Sequence, residues 1–343
     1  MKKIRLFPSL KEVSYHDGES VLSCLEKNGY ALPSNCRAGA CGECKIKIRE
    51  GVIDQGFILD MALSQSDRDQ GYALMCMAKV KSDLLEIEWA DAEARPKLFP
   101  PVENALYMLT EKISLTKKIQ KIRLRALGTP LRFWPGQYIQ LGSVEKKIPY
   151  KSYSIANIPN QDGEIILYIS RNNEGVTSKW IHDELNIGEK IKIHGAYGTF
   201  IGDPSAETPV LCLAQGSGLA PITSLAMAAL LRGGFRNPAT ILFSAKTNED
   251  LFEKGIFSFL ESKFRNFRFR VTLTREQNPG LLVGRIPMIL PSLYPNLSNY
   301  SLYIAGSPEF VADCVASCKK LGARDQCIHT EGFYNQDRVN GTI

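Results

Sequence analysis

The chain has 343 residues, of which 44% are apolar and 23% are charged, as in ordinary soluble globular proteins. This length predicts two or three domains. The formal net charge is +6, but residues 1–92 hold 12 Lys and Arg against 14 Asp and Glu, so the basic excess lies beyond them. The densest basic group, between residues 117 and 125, alternates with Ile122 and Leu124 like the solvated face of a strand. We therefore expect no nucleic-acid partner.

Residues 1–92 are predicted to form a small mixed domain. Ile4 and Leu6 alternate with charged residues, as in a half-buried strand. Ser20 is placed to cap a helix that runs to about Asn28. Two further strands are predicted over residues 44–49 and 84–88, so this domain combines several strands with one clear helix.

Four cysteines in this domain predict an iron–sulfur site. Cys36, Cys41 and Cys44 follow the spacing C-x4-C-x2-C, and Cys76 lies well downstream, as in plant-type ligand sets for a [2Fe-2S] cluster. The residues between the ligands are small, which lets backbone N–H groups point at the sulfurs. Zinc is the alternative, but structural zinc sites usually pair two short C-x2-4-C units, and Cys76 has no such partner. The motif resembles plant-type ferredoxins, and that resemblance implies a β-grasp fold.

The other five cysteines are predicted to be reduced thiols or small core residues, which favours a cytoplasmic protein. No secretory signal is visible in the first residues. The stretch Val210–Leu231 carries no charge and has the length of a membrane span. Gly216, Gly218 and Pro221 interrupt it, so we predict a buried strand, a glycine turn and a buried helix, with no membrane span.

The stretch from Ala90 to Pro101 is rich in Ala and Pro and ends with two prolines, so residues 93–102 are predicted to be a linker. Residues 103–203 are β-rich, with turn signals between short strands, which favours an antiparallel barrel. The predicted strands cover residues 105–112, 119–126, 138–141, 165–170 and 190–194.

Within this β-rich part, Lys151-Ser152-Tyr153-Ser154 resembles the R-x-Y-S signature of ferredoxin–NADP reductase-like flavoproteins. The resemblance implies that Tyr153 packs on the isoalloxazine ring of FAD, that Ser154 hydrogen-bonds near N5, and that Lys151 meets the pyrophosphate. Lysine lacks the bidentate fork of arginine, so Arg171 is a candidate to assist. The family also binds the pyrophosphate at a G-x-x-S turn before a helix, which here is Gly175, Val176, Thr177 and Ser178.

Residues 207–334 alternate strands with helices, which predicts a doubly wound parallel sheet that binds a nucleotide. Strands are expected near residues 210–214, 239–244, 268–273 and 301–305, and helices near 222–231, 253–263 and 308–321. Gly216, Gly218 and Pro221 resemble the family's G-x-G-x-x-P turn for dinucleotide pyrophosphate. Residues 335–343 are polar and are predicted to be a disordered tail.

Two later segments also resemble the reductase family. Gly306 and Ser307 lie in a turn similar to its C-G-x-P turn beside the nicotinamide, with Ala305 in place of the cysteine. Residues 331–333 resemble its terminal acidic-x-aromatic segment, in which Phe333 would cover the flavin and move aside for nicotinamide. Tyr153, Ser154 and Phe333 are thus the predicted catalytic set. Lys246 and Arg275 could accept a 2′-phosphate, but the acidic residues at 249–250 favour NADH over NADPH.

The three motifs, in this order, predict an enzyme that carries electrons from NAD(P)H through FAD and a [2Fe-2S] cluster to an acceptor protein. FAD is needed because a hydride delivers two electrons whereas the cluster accepts one. The resemblance leaves two acceptors open: an oxygenase component, or a CDP-4-keto-6-deoxyglucose-3-dehydrase, as in CDP-6-deoxy-delta-3,4-glucoseen reductase. Arg37 and Glu43 lie on the segment from Cys36 to Cys44, called the cluster loop below, and are candidates for acceptor docking. The alternative function is a non-catalytic electron carrier or regulator with a degenerate reductase module.

Overall fold

A computed structural model of the chain describes residues 2–90, 92–203 and 207–334. The predicted tail at 335–343 lies outside the described residues. The chain folds into two compact units. Of the described residues, the first contains 2–90, 92–102, 196–199 and 334, and the second contains 103–195, 200–203 and 207–333.

The first unit is built on a mixed five-stranded sheet with the strand order β2-β1-β7-β3-β5. Strands β1 and β7 pair in parallel, whereas β2 and β3 run antiparallel to their neighbours. Ser20 caps α1, as predicted, by accepting a hydrogen bond from the backbone N–H of Ser23. The elements are β1 (Lys3–Phe7), β2 (Lys11–Ser14), α1 (Val21–Lys27), β3 (Lys45–Glu50), β4 (Ile53–Asp54), α2 (Gln65–Asp69), β5 (Tyr72–Leu74), β6 (Lys79–Val80) and β7 (Leu84–Glu88).

The second unit begins with a six-stranded sheet in the order β11-β10-β13-β8-β9-β12. Its two edges meet where Ile155 bridges Leu167 and the Ala156 N–H donates to the Ile166 carbonyl, which closes the sheet into the predicted antiparallel barrel. The elements are β8 (Val102–Ser114), β9 (Ile119–Ala126), β10 (Tyr138–Ser143), β11 (Ile148–Ser154), β12 (Glu164–Ser170), α3 (Val176–Asp183) and β13 (Lys190–Tyr197). The first residue of β8, Val102, and the last two of β13, Ala196 and Tyr197, are grouped with the first unit.

A second six-stranded sheet follows in this unit, with the order β17-β16-β15-β14-β18-β19 and parallel pairing throughout. The chain starts in the middle at β14, moves to one side, and then returns to β18 on the other side. The carboxyl ends of β14 and β18 therefore flank the switch point at which doubly wound sheets bind ligands. The elements are β14 (Val210–Gln215), α4 (Leu219–Leu231), β15 (Ala239–Ala245), α5 (Lys254–Lys263), β16 (Phe267–Leu273), β17 (Leu282–Val283), α6 (Ile286–Leu293), β18 (Ser301–Gly306), α7 (Pro308–Lys320) and β19 (Ile328–Gly332).

The charge-free stretch Val210–Leu231 is the strand, turn and helix that its glycines predict: β14, a single 3-10 turn at Gly216–Gly218, and α4. Leu211, Leu213 and Ile222 are fully buried in the second unit. Across residues 2–90, 92–203 and 207–334, no helix combines the length and apolarity needed to cross a bilayer.

Candidate functional site

The four predicted cluster ligands come together as two pairs in the first unit. The Cys36 and Cys41 side chains interact with each other, as do those of Cys44 and Cys76. Backbone N–H groups of Ala38 and Ala40 point at the Cys36 sulfur, at nitrogen–sulfur distances of 3.4 and 3.3 Å. The Cys41 thiol and these N–H groups lower the pKa of Cys36 to about 5. The loop therefore stabilises negative charge on the Cys36 sulfur, which suits thiolate ligation there, whereas the pKa of Cys41 and that of Cys44 are raised by their cysteine partners and by burial.

The pairing fits a two-iron cluster better than a single zinc ion. Each iron of a [2Fe-2S] cluster takes two cysteines, because the bridging sulfides fill its other positions. A structural zinc site gathers four ligands at one point, but no three His, Cys, Asp or Glu side chains of the described residues converge in this way. None of the nine cysteines, all of them described, forms a disulfide.

Two glycines let the cluster loop lie against the segment that follows β4. Gly39 and Gly42 both have positive φ, at 69° and 78°. A Cβ on Gly42 would come within 2.9 Å of the Ala62 carbonyl oxygen. A side chain at this position would therefore both strain the backbone and push the loop away from its support.

The two residues predicted to dock the acceptor are less exposed than expected. The Arg37 side chain is 14% exposed, and its Nη1 donates to Glu26 Oε1 at 2.7 Å. Glu43 is partly buried, and this burial raises the pKa of its carboxyl group. Neither residue is a freely solvated charge at the rim of the loop.

An open groove of about 450 Å³ lies beside the ligand Cys41, lined by Cys41, Gly42, Glu43, Lys45, Met61, Ala62, Ser64 and Asp67. Met61 is 85% exposed at this groove. Lys45, which follows the ligand Cys44, pairs with Asp67 at 3.1 Å. The groove thus offers an apolar contact and mixed charges next to the cluster loop.

The predicted FAD residues fall on β11 and at the start of α3. Lys151, Tyr153 and Ser154 end β11, whose neighbour β10 pairs with them through residues 138–141. Gly175 is the N-cap of α3, so Val176, Thr177 and Ser178 form its first turn. The backbone N–H groups of such a turn suit an anion such as a pyrophosphate.

Several side chains of this segment already have partners that shape it. Ser178 Oγ accepts from the Asn172 N–H at 3.1 Å, and Thr177 Oγ1 donates to the Pro149 carbonyl at 2.6 Å. These bonds brace the turn and join it to the start of β11. Arg171 makes two hydrogen bonds to Asp183, at 2.6 and 2.8 Å, so its charge is largely offset by that carboxylate.

Ser154 also joins the barrel to the parallel sheet of the second unit. Its Oγ donates to Glu331 Oε1 at 3.0 Å. Glu331 is buried, and burial raises the pKa of its carboxyl group to about 8. The other oxygen, Oε2, is buried without a hydrogen-bond partner among the described residues. At neutral pH the carboxyl group therefore carries a proton, and Oε2 is the oxygen available to donate it.

The two glycine turns of the parallel sheet meet at its switch point. A Cβ on Gly218 would lie 2.3 Å from the Ala305 carbonyl oxygen, and one on Gly306 would lie 2.7 Å from the Phe310 ring. Ser307 Oγ donates to Gln215 Oε1 at 2.9 Å and ties the two turns together. Only glycine permits this close approach of the two turns. Their backbone N–H groups lie at the carboxyl ends of β14 and β18, where a doubly wound sheet binds its ligand.

The remaining predicted residues lie around this switch point. Pro221 is buried in the first turn of α4, where proline is tolerated. The Phe333 N–H donates to the Gly306 carbonyl at 2.8 Å, and its side chain is partly buried. The Arg275 N–H donates to the Lys246 carbonyl at 2.9 Å, after β15 and β16.

Three residues that shape these sites, Glu331, Gln215 and Glu26, were not among the predicted site residues. Glu331 was recognised only as part of the terminal acidic-x-aromatic segment, and its proximity to Ser154 needs the fold because 177 residues separate them. Gln215 carries no motif signal. Glu26 lies on α1, and its sequence position alone does not distinguish it from a solvated helix residue.

Comparisons with known proteins agree with this geometry. Residues 4–81 match the 2Fe-2S iron-sulfur cluster binding domain, and residues 107–201 match the oxidoreductase FAD-binding domain. A reductase subunit of an aromatic O-demethylase from Amycolatopsis sp. is 28% identical over 327 residues, covering 94% of this chain and 96% of that protein. The phenol 2-monooxygenase reductase component DmpP of Pseudomonas sp. is 29% identical over 336 residues, covering 96% and 94%.

A solved structure is similar over nearly the whole length of the chain. The crystal structure of the Amycolatopsis cytochrome P450 reductase GcoB aligns with a TM-score of 0.88 and 25% identity, covering 98% of this chain and 100% of that one. The match extends over the cluster-binding, barrel and parallel-sheet parts together.

Proposed function

We propose that this chain, which belongs to the iron–sulfur flavoprotein reductases that join a 2Fe-2S cluster binding domain to an oxidoreductase FAD-binding domain, supplies electrons to the oxygenase component of a multicomponent oxygenase. It is an NAD(P)H-dependent oxidoreductase that uses a [2Fe-2S] cluster and FAD. When bound, the flavin takes the two electrons of a hydride and the cluster takes them one at a time.

The observation that carries this proposal is the pairing of Cys36 with Cys41 and of Cys44 with Cys76, in a chain whose other unit has a flavin-type barrel. The cysteines would hold the cluster. Lys151, Tyr153 and Ser154, with the first turn of α3, would hold FAD. The turns at Gly216–Gly218 and Gly306–Ser307 would receive the dinucleotide. Holding and orienting these groups is the main work of the protein.

The buried carboxyl group of Glu331 is expected to help position the reacting rings. It accepts a hydrogen bond from Ser154 at Oε1 and keeps a proton for donation at Oε2. A neutral carboxyl group adds no charge to this water-poor site. Phe333, whose backbone is fixed to Gly306, is proposed to cover the flavin until nicotinamide enters.

We propose NADH as the preferred donor. The turn after β15 holds Asn248, Glu249 and Asp250, and the Asn248 N–H donates to Glu276 Oε2 at 2.8 Å. These carboxylates suit the two ribose hydroxyls of NADH and would repel a 2′-phosphate. Lys246 and Arg275 are nearby cations that could bind a 2′-phosphate, so NADPH is the alternative donor.

The acceptor is proposed to be an oxygenase component, because the relatives described above are reductases of such systems. The dehydrase acceptor that the sequence left open gains no support from them. The groove beside Cys41 is the proposed docking face, since Met61 is exposed there and the cluster loop forms one wall. Of the two residues predicted to dock the acceptor, Glu43 lines this groove and Arg37 does not.

An anaerobic titration of the purified protein with NADH tests this function. We expect loss of the visible absorbance of oxidised flavin, together with an electron paramagnetic resonance signal from the reduced cluster. Turnover with ferricyanide should be faster with NADH than with NADPH. A protein that holds cluster and flavin but is not reduced by either nucleotide would instead be a non-catalytic carrier.

A further inference from the structure

A buried ion pair lies against the cluster loop in the first unit. Arg37 immediately follows the ligand Cys36, and its Nη1 is 2.7 Å from Glu26 Oε1. The Glu26 side chain is only 4% exposed. By contrast, Lys45 follows the ligand Cys44 but is 39% exposed, and its partner Asp67 is 26% exposed. Two cations thus follow two ligands in sequence, and only one of them is shielded from water.

The Arg37 guanidinium is fixed from two sides. Glu26 holds one edge from the last turn of α1. The guanidinium carbon also lies over the ring of Tyr197, which belongs to the same unit, at 4.2 Å from the ring centre. The Arg37 backbone has a φ of 53°, a left-handed conformation that is unfavourable for a non-glycine residue. The loop therefore holds this side chain in place at a cost in backbone strain at Arg37.

Stability alone gives a weak account of the pair. Moving two charges out of water carries a large desolvation cost, and buried pairs often gain little over apolar residues of the same size. Glu26 Oε2 is buried with no hydrogen-bond partner among the described residues, so the carboxylate is not fully compensated. What the pair does achieve is to fix one positive and one negative charge at defined places beside the ligands.

A fixed charge near a redox centre changes the reduction potential of that centre. Reduction adds one electron to a cluster that is already anionic, so a nearby cation favours the reduced state and a nearby carboxylate opposes it. Burial strengthens both effects, because water screens charges weakly there. The same charges in the exposed Lys45–Asp67 pair should have much less influence.

We infer that Glu26 is a positioning residue that holds the Arg37 guanidinium beside the cluster ligands, and that this pair sets the reduction potential of the cluster. The inference rests on the proposed function only in requiring that Cys36, Cys41, Cys44 and Cys76 hold the cluster. Arg37 raises the potential, and Glu26 both orients that charge and offsets part of it.

The test is a dye-mediated redox titration of the full-length holoprotein, followed by electron paramagnetic resonance of the cluster and without NADH. Glu26→Gln leaves the cation uncompensated, so the equilibrium constant for cluster reduction should rise at least threefold. Arg37→Gln should lower it at least threefold, and the double variant should fall between them. For this one-electron couple, a tenfold change corresponds to about 59 mV.

Lys45→Gln is the matched control, because it removes the same charge at the same sequence distance from a ligand but in solvent. It should shift the constant much less than Arg37→Gln. Arg37→Lys keeps the charge and should recover most of the wild-type value. If Glu26→Gln fails to hold the cluster, the comparison of Arg37→Gln with Arg37→Lys still decides the question.

The inference would be overturned if Glu26→Gln and Arg37→Gln both bind the cluster but shift its reduction potential in the same direction as each other, or do not shift it at all. The pair would then be a purely structural contact. Failure of NADH to reduce the wild-type protein would instead contradict the proposed function. Because the dyes deliver electrons directly to the cluster, these two failures can be told apart.

Discussion

Glu331 shows how burial changes one side chain from a solvated acid into a neutral donor. It lies on β19, opposite Ala305 of β18, and Ser154 is its hydrogen-bond partner. Burial outweighs the stabilising bond from Ser154, so the carboxyl group holds its proton up to about pH 8. Its titration is therefore coupled to the stability of the folded chain.

The Glu331→Gln variant should alter how stability depends on pH. In the native state the pKa of this carboxyl group is raised above its value in the unfolded state. At any pH between these two pKa values, the native state therefore binds more protons than the unfolded state. The free energy of unfolding should then fall as pH rises towards 8, by about 1 kcal/mol per unit from this group. Glutamine cannot titrate, so the variant should lose that slope.

Urea unfolding of the wild type and the variant at pH 6 and pH 8 measures this difference. Glu276→Gln, an exposed carboxylate in the same unit, is the control and should keep the wild-type slope. Equal slopes in wild type and Glu331→Gln would mean that Glu331 is ionised in the native protein.

Ala305 occupies the place of the cysteine in the family turn and is completely buried. Its strand neighbours are Ala214 on one side and Glu331 on the other. The resemblance to the reductase family implies that a thiol at this position helps to hold the nicotinamide. We therefore expect Ala305→Cys to speed flavin reduction by NADH several-fold, within the range of one added polar contact, about 1 kcal/mol. Stopped-flow absorbance under anaerobic conditions measures the rate.

Ala245→Cys places the same thiol at another buried position in the same sheet and should leave the rate unchanged. A slower Ala305→Cys enzyme would show that the turn is adapted to alanine and that the thiol obstructs it.

At the scale of elements, the approach of the two glycine turns decides where a dinucleotide can bind. Gly218→Ala would place a Cβ 2.3 Å from the Ala305 carbonyl, and backbone rather than a flexible side chain would have to move. We expect a loss of about 1–3 kcal/mol of stability and a higher KM for NADH. Thermal unfolding and steady-state kinetics with ferricyanide report the two effects.

Gly255→Ala is the control for this variant, because that glycine lies in the first turn of α5 with no atom within 4 Å of an added Cβ. It should be neutral or slightly stabilising, since alanine favours helix more than glycine does. If Gly218→Ala behaved like Gly255→Ala, close approach of the turns would not be required.

The elements that the sequence predicts well are those with local signals. Alternating patterns located β3, β9 and β12 to within a residue or two, and Ser20 marked the start of α1. α4 begins three residues before its predicted start at Ile222, because Pro221 is tolerated in a first turn. α6 was not predicted, since Pro287 and Pro291 lie within it and are typical helix breakers.

The same distinction holds for the site. The spacing of Cys36, Cys41 and Cys44 is a local pattern, so the sequence alone predicts these three ligands together with the more distant Cys76, and the match of residues 4–81 to a cluster-binding domain supports the kind of site. Ser154 and Glu331 meet only because the barrel and the parallel sheet belong to one unit, and no short-range pattern encodes that contact. Arg37 could be noticed as a charge on the cluster loop, but its burial against Glu26 depends on how α1 packs beside that loop.

At the scale of the whole molecule, electron transfer to a protein acceptor should depend on the docking groove, whereas turnover with a small oxidant should not. Met61→Lys places a charge at the most exposed apolar contact beside Cys41. We expect reduction of cytochrome c, a protein probe, to fall at least fivefold, about 1 kcal/mol. Ferricyanide reduction should stay within error.

Phe259→Lys makes a similar change at an exposed position of α5, in the second unit, and should affect neither assay. Equal losses in both assays for Met61→Lys would indicate damage to the fold or the cofactors rather than to docking.

The order of the electron carriers makes the sharpest whole-molecule prediction. Cys76 is the distant ligand and pairs with Cys44. Cys76→Ser replaces a thiolate with a much poorer iron ligand, so the cluster should be lost or its yield strongly reduced. The flavin-type barrel and the parallel sheet belong to the other unit, so NADH–ferricyanide turnover should remain near that of the wild type.

Cytochrome c reduction should fall at least tenfold in Cys76→Ser, because in the proposed function electrons reach a protein acceptor through the cluster. Cys24→Ser is the matched control: Cys24 is buried in the same unit, is not a ligand, and donates to the Ser14 carbonyl at 3.3 Å, a bond that serine can keep. Iron content, visible spectra and both turnover assays would be compared for the three proteins. Retention of cytochrome c reduction in a Cys76→Ser protein without iron would mean that electrons leave from the flavin and bypass the cluster.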